Sequence, residues 1–319
     1  QAINQAKKQG IDLTGSTAYV TLEPCSHQGK TGPCANALIP TGVKKVVGGT
    51  LDPNPLVAGR GVRILQDAGI EVKTGVLEAE CRWLNRGFFM RMENRRPWVR
   101  LKVASSADGV TALNNGVSQW ITGEQARAHG HSLRAQACAV LTGFGTVRAD
   151  NPQLNVRGIQ TPRQPIKVVV DSRLDIAASA RLLETGRVWL VHANQEEPAW
   201  LSEHSNRQHI ELINAHSAQS DTNQGKTDLN LLLRILAQKE IQELHLEAGF
   251  GLNGSFLQAG LVDEIVHYVA PKFLGPGQGL FRLPELSSLP ESEWTVRDTK
   301  ILGDDVQITW VKKQAAGSA

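Results

Sequence analysis

A chain of 319 residues is too long for one ordinary core and fits about two domains. Its 41% hydrophobic and 20% charged residues are ordinary for a soluble globular protein, and a net charge of +3 without a basic tract argues against nucleic acid as a partner, though a local basic pocket for a small anion is compatible with it. No run of about 18 apolar residues offers a membrane span, the polar opening QAINQAKKQG is no signal peptide, and four cysteines (Cys25, Cys34, Cys81, Cys138) are too few for a disulfide framework, which predicts a reducing cytoplasm. The chain opens on Gln1 instead of Met and reads as cut from something longer.

In chain order, residues 1–9 read as a helix fragment and Thr17–Leu22 as a short buried strand. Cys34–Gly42 has helical spacing and a stopping glycine. VKKVVGG is the next strand, VAGRGVRILQDAG feeds a helix ending at Gly69, and EVKTGV is a third strand. Strands alternating with helices predict an α/β sheet with parallel pairs. Leu77 to Arg96 reads as one long helix, and the basic, proline-containing RRP after it marks a boundary between domains 1–96 and 97–319. The second half alternates too: WVRLKVASS, CAVLTG, IKVVVDS, VWLVHA, ELHLEAG and EIVHYVAPKF are strand candidates, with helical patterns in GEQARAHGHSLRAQ and DLNLLLRILAQKE. The tail predicts two antiparallel strands about a turn at Gly303-Asp304-Asp305, and the polar stretch Ala215–Thr227 predicts a mobile loop.

The strongest local signal is Glu23-Pro24-Cys25-Ser26-His27-Gln28-Gly29-Lys30-Thr31-Gly32-Pro33-Cys34. Two cysteines flank a tight loop between a strand end and a helix start, where the helix terminus is expected to lower a thiol pKa and so favour zinc. Zinc deaminases combine such a cysteine segment with an H-x-E segment, whose Glu moves protons at the metal-bound water. No H-x-E precedes these cysteines, so two unligated thiols near a turn is the competing reading. His209-Ile210-Glu211 and His245-Leu246-Glu247 lie in the second half and read as coincidences, because a zinc site should be assembled within one domain.

The run P-C-S-H-x-G-K-T-x-P-C, followed by D-P-N-P-x-V-A-G-R-G (Asp52 to Gly61), resembles the bifunctional riboflavin-biosynthesis deaminase/reductase family. The likeness continues through LKVASSADG, SQWIT, GTVRADNPQLNVR, VVVDS and LEAG, nearly the whole chain. It implies a partial cytidine-deaminase-like domain followed by a dihydrofolate-reductase-like domain. In the first, Cys25 and Cys34 would be zinc ligands, Lys30 and Thr31 would contact substrate phosphate, and Asp52 and Asn54 the ribose. The family's H-A-E motif would lie just upstream of Gln1, so this chain is expected to show negligible deaminase activity. Gly32 stands where the family usually has Pro.

For the second domain the resemblance implies NADPH, with Ala104, Trp120, Thr146, Asp150 and Ser172 on the cofactor side and Gly249, Phe250, Gly251, Leu252, Asn253, Gly254 and Ser255 at its phosphates. By letters that turn is G-x-G-x-x-G, but it lies near the end of its domain and Val269 stands where a Rossmann dehydrogenase would place an acid. A zinc-ribbon-like interaction module would need a second C-x-x-C pair, which is absent. On the substrate side the matching positions are Ser118, Arg134, Leu154, Arg157 and Glu247. Arg134 and Arg157 suit a sugar phosphate because guanidinium donors match phosphate oxygens in pairs. Lys102 and Glu247 sit inside apolar strands, where a charge is costly unless paired or functional. They form either a structural ion pair or a catalytic couple at the sugar C1′, with Lys102 supporting proton transfer and Glu247 orienting the sugar. Trp120 is alternatively a core residue. The expected partner is a pyrimidine ribose-phosphate, and the family suggests a homodimer or larger assembly.

Overall fold

The computed structural model describes residues 1–29, 31–54, 57–118, 120–217, 225–285 and 292–313. It divides into two compact units, Gln1–Arg95 and Arg96–Ala319.

The first unit carries three parallel strands, β1 (Thr17–Leu22), β2 (Lys45–Thr50) and β3 (Glu71–Lys73), in that spatial order. Helices α1 (Ala2–Lys8), α2 (Cys34–Leu38) and α3 (Arg60–Asp67) precede, separate and link them. The core joins Ala35 and Leu38 from α2, Val46 from β2 and Leu65 from α3. The helix expected over 34–42 runs one α turn and then tightens to 3₁₀ at Ile39–Thr41, where Pro40 has no N–H to give and Gly42 stops the chain at φ 74°. The single helix expected over 77–96 is two, α4 (Glu78–Leu84) and α5 (Arg86–Asn94). Asn85 divides them at φ −100°, ψ 17°, its side-chain amide donating to the Cys81 carbonyl at 2.8 Å.

Glu23, buried just past the end of β1, organises this unit's loops. Its carboxylate accepts four backbone N–H groups: Asp52 at 3.2 Å and Gly59 at 2.9 Å on Oε2, Gly61 at 2.9 Å and Val62 at 3.2 Å on Oε1. A Cβ on Gly61 would lie 1.9 Å from the Pro24 carbonyl oxygen, so only glycine lets α3 begin this close to the cysteine loop. Glu23→Gln puts an NH₂ donor against two of those N–H groups. The expected cost is about 2 kcal/mol, read as roughly thirtyfold faster amide exchange at Gly59, Gly61 and Val62 with α1 exchange unchanged.

The second unit is built on a nine-stranded sheet. Its strands are β4 (Trp98–Ser106), β6 (Ala139–Gly143), β7 (Ile166–Val170), β8 (Val188–His192), β9 (Ile210–Asn214), β10 (Glu243–Leu246), β11 (Glu264–Ala270), β13 (Trp294–Leu302) and β14 (Asp305–Lys312); β5 (Ala112–Leu113) and β12 (Gly277–Gln278) form a separate small ribbon. The order is β13-β14-β11-β4-β10-β6-β7-β8-β9, parallel throughout except for the terminal hairpin β13–β14, which adds antiparallel to β11. Both faces of the central strands are covered, which explains their near-continuous apolar runs. On one face α9 (Leu229–Gln238) and α10 (Phe250–Gln258) bring Leu232, Leu236 and Phe256 onto Leu101, Leu244 and Leu246. On the other, α6 (Glu124–Gln136) sets Ala126 and Leu133 on Val266 and Tyr268. Further along that second face α7 (Phe144–Asp150) packs Val147 on Val140 and Val169. A short helix, α8 (Ala199–Glu203), adds Leu201 to that cluster. Of the loop expected over 215–227, residues 218–224 lie outside the described residues.

Candidate active site

Neighbouring strands β6 and β10 send their helices to opposite faces of the sheet, α7 to the face of Val140 and α10 to the face of Leu246. Divergence of this kind leaves a crevice at the C-terminal ends of parallel strands. The two turns meet there: a Cβ on Gly143 would lie 3.1 Å from Leu252 Cδ2, and one on Gly249 3.6 Å from Thr146 Oγ1.

On the face covered by α6 and α7, Lys102 and Ala104 project from β4. The register pairs Leu246 of β10 with Leu101 and with Leu141, and Glu247 follows, its N–H on the Leu141 carbonyl at 2.9 Å. Arg134, from α6, forks the Glu247 carboxylate, Nε to Oε1 at 2.5 Å and Nη2 to Oε2 at 2.8 Å, while Nη1 donates to the Asn155 carbonyl at 3.1 Å. Three of its five N–H donors are thus engaged and two are left for a ligand. Buried His245 lies 3.1 Å from Glu247 Oε1 but too obliquely for a hydrogen bond. Burial works against the Glu247 carboxylate, yet the Arg134 charge and its hydrogen bonds outweigh it and hold the group well below the usual range.

Lys102 does not pair with Glu247, so the structural ion pair that the sequence allowed is not formed; Glu247 belongs to Arg134, whose planar fork suits a carboxylate better. The Lys102 ammonium has no hydrogen-bond or ion-pair partner among the described residues and lies 5.7 Å from the centre of the Tyr268 ring. Burial pushes its pKa down, Glu247 opposes that shift and Arg134 adds to it. Tyr268 is itself buried, its hydroxyl 2.7 Å from His129 Nδ1.

Arg157 is exposed, with Nη1 on Gln153 Oε1 at 3.0 Å and on Asn155 Oδ1 at 2.8 Å. Its guanidinium feels Arg134 and Arg181 as well as Glu247, so the local balance is positive. Leu154 has φ 53° and its side chain in the core, so only its main chain is available to a ligand. Ser118 is half-buried. Trp120 is no core residue: it is 65% exposed, with the Arg127 guanidinium 4.8 Å from its ring.

The expected cofactor residues divide. Ser172, Gly143, Gly145, Arg173 and Leu252 share the lining of a pocket of about 340 Å³ at the ends of β6 and β7. Side chains added at Gly145 or Gly251 would meet nothing within 4 Å, so both main chains border open space. That bare, donor-rich edge fits a dinucleotide phosphate. Thr146 and Asp150 stand four residues apart on one side of α7, Asp150 exposed at its far end. Phe250 is half-buried, and exposed Ser255 donates to the Gly251 carbonyl at 3.1 Å. Asn253 and Gly254 turn inward. The Asn253 amide donates to the Ala248 carbonyl at 2.8 Å, and a Cβ on Gly254 would lie 2.1 Å from the Arg282 carbonyl oxygen. Packing alone accounts for that glycine.

In the first unit, the Cys34 N–H donates to Cys25 Sγ at 3.3 Å, bringing the two cysteines together. The helix start does not lower the Cys34 thiol as expected; burial and the neighbouring Cys25 thiol push it up, and α2 is only five residues long. Among the described residues no group of three His, Cys, Asp or Glu side chains is arranged for a metal. Two sulfurs do not fit a catalytic zinc, which takes three protein ligands. Lys30 lies outside the described residues. Thr31 is exposed, while buried Asp52 accepts the Asn54 N–H on Oδ1 at 2.8 Å. Burial pushes the Asp52 carboxyl up. Sequence reasoning passed over Glu23, Arg173 and Tyr268. Glu23 was open to an argument close to the one that singled out Lys102, since its charge directly follows the strand Thr17–Leu22.

Residues 97–308 match the family described as RibD C-terminal domain, and residues 1–50 the cytidine and deoxycytidylate deaminase zinc-binding region. The riboflavin biosynthesis protein RibD of Escherichia coli is 40% identical over 319 residues, covering 95% of this chain and 84% of its own length. The structure of Acinetobacter baumannii RibD superposes with a TM-score of 0.85 at 39% identity, covering 98% of this chain and 84% of that one. A diaminohydroxyphosphoribosylaminopyrimidine deaminase/5-amino-6-(5-phosphoribosylamino)uracil reductase from Thermotoga maritima superposes at 0.80 with 33% identity, covering 98% and 83%. The fold expected from sequence, a cytidine-deaminase-like part followed by a reductase part, is the one found.

Proposed function

We propose that this chain, which belongs to the RibD family of riboflavin biosynthesis proteins, reduces the ribosyl side chain of 5-amino-6-(5-phosphoribosylamino)uracil to ribityl with NADPH. The observation that carries this reading is an ammonium, Lys102, with no hydrogen-bond or ion-pair partner among the described residues, within the field of the Arg134-held Glu247 carboxylate, which stands two residues before the open glycine turn at Gly249. NADPH supplies the hydride. It would lie along Ala104, Trp120, Thr146, Asp150 and Ser172, with its phosphates on the turn from Gly249 to Ser255.

The chain's own residues do the rest. The two spare donors of Arg134, together with Arg157 and the Leu154 main chain, bind the substrate's sugar-phosphate end, and Ser118 faces the same ligand. Glu247, kept ionised by Arg134, accepts hydrogen bonds from sugar hydroxyls and fixes C1′ where hydride arrives. Lys102 gives its proton to the sugar oxygen that gains one as C1′ is reduced. A depressed ammonium pKa suits that transfer, because the ammonium gives up its proton more readily than an ordinary lysine does.

For the first unit we assign Lys30 and Thr31 to phosphate and Asp52 and Asn54 to ribose, with Cys25 and Cys34 supplying two of the three protein ligands a catalytic zinc takes and so no complete site among the described residues, and with the boundary between the two functions at Arg95-Arg96-Pro97. Among the described residues no helix is long and apolar enough to cross a membrane, and the four thiols are free, which supports a cytoplasmic enzyme. The exposed edge strand β13, with Val296 and Ile301 turned outward, supports a homo-oligomer. Purified protein given the aminouracil ribose-phosphate is expected to oxidise NADPH with one equivalent of ribityl product. No oxidation at saturating substrate refutes the reading.

A further inference from the structure

Resting on that reading, we infer that Arg173 is the residue that selects NADPH over NADH by binding the ribose 2′-phosphate in the pocket beyond β6 and β7. Among the described residues lining that pocket Arg173 is the only cation. It is exposed, and its guanidinium has no hydrogen-bond or ion-pair partner among the described residues.

The loop that carries it is held from within. The Asp171 carboxylate, buried at the end of the strand, accepts the Ile176 N–H at 2.8 Å and also faces the main-chain N–H groups of Arg173 and Asp175. The acid is therefore spent on shaping the turn, and the side chain of Arg173 is left to the pocket. Ser172 adds a donor. Its Oγ accepts the Thr227 N–H at 3.1 Å and lies 3.0 Å from Thr227 Oγ1. One hydroxyl proton serves the contact between the two oxygens, so one is left over for a ligand. Five guanidinium N–H groups and a hydroxyl form a donor set for a ligand part that only accepts, as a phosphate monoester does. A bare 2′-hydroxyl calls instead for an acidic acceptor. Asp175 also lines the pocket and is the one group placed to play that part. Its charge opposes a phosphate, so the two side chains pull cofactor choice in opposite directions, and the donor count favours Arg173.

Binding of 2′,5′-ADP and of 5′-ADP to the full chain, measured by calorimetry, tests this without turnover. Wild type is expected to prefer 2′,5′-ADP. Arg173→Gln is expected to lose roughly tenfold or more in 2′,5′-ADP affinity with 5′-ADP changed less than about twofold, Arg173→Lys to recover part of the loss, and Asp175→Asn to bind 2′,5′-ADP about threefold tighter. The ratio of kcat/KM for NADPH over NADH should fall in Arg173→Gln by the same factor. If wild type prefers 2′,5′-ADP and Arg173→Gln keeps that preference, the assignment to Arg173 is overturned while the reductase reading stands. Equal loss for both nucleotides also overturns it. If wild type binds neither nucleotide, the cofactor site and the reductase reading fall with it.

Discussion

Lys102→Met should lower kcat/KM for NADPH-dependent reduction by about 10²- to 10⁴-fold, the range over which a positioned general acid acts, with little change in affinity for 2′,5′-ADP. The methionine keeps an unbranched apolar side chain of similar length and removes the ammonium that lies 5.7 Å from the centre of the Tyr268 ring. Because Lys102 holds no ion pair among the described residues, stability should change little or rise slightly as a desolvated charge is removed. The sign of the pH effect follows from its environment. Burial and Arg134 lower the folded pKa below that of an ordinary lysine, with Glu247 offsetting part of the shift. The acid form is therefore lost as pH rises through the lowered value, and the wild-type rate should fall on an alkaline limb well before free lysine titrates. That limb should vanish from the residual rate of Lys102→Met. A wild-type rate in the variant, or an unchanged limb, removes Lys102 from the chemistry.

Why Lys102 was visible in the sequence and its surroundings were not is a matter of range. A lysine within LKVAS interrupts an apolar run, and burial cost alone makes it conspicuous. The partner of Glu247 is Arg134, 113 residues earlier on a helix of ordinary amphipathic pattern, and no local periodicity links the two. The strands of the parallel sheet were legible because both faces are buried and each reads as an apolar run. Their order was not, since β10 inserts between β4 and β6 long after both have been laid down, and only tertiary packing decides that. The glycine turn shows the limit most clearly. Its letters run evenly from Gly249 to Gly254, yet Gly251 borders open space while Gly254 is demanded by the Arg282 backbone. The four N–H groups gathered by Glu23 likewise come from residues 29 to 39 positions away.

Breaking the Arg134–Glu247 fork from either side should be the most damaging single change to the second unit. Glu247→Leu leaves a mostly buried guanidinium without its counter-charge, which costs about 3–5 kcal/mol and should lower the melting temperature of this unit by roughly 10 °C. Arg134→Leu strands the carboxylate instead. Without Arg134 the burial of Glu247 goes uncompensated and its pKa should rise, so the variant takes up a proton. In the wild type the sign is the reverse: with the folded pKa depressed, the pair's stabilisation is complete above the unfolded value of about 4.3 and is lost progressively below it as pH falls through the folded one. The double variant Arg134→Leu/Glu247→Leu separates structure from function. Two leucines in that space should restore much of the stability lost by either single change, because a buried ion pair is replaceable by packed apolar groups. Reductase activity should stay at the level of the worse single variant, since the sugar then has no carboxylate to orient it and its phosphate keeps only one of two guanidinium groups, that of Arg157. Recovery of activity along with stability would mean that the fork is scaffold alone, and the substrate would have to be held by other groups.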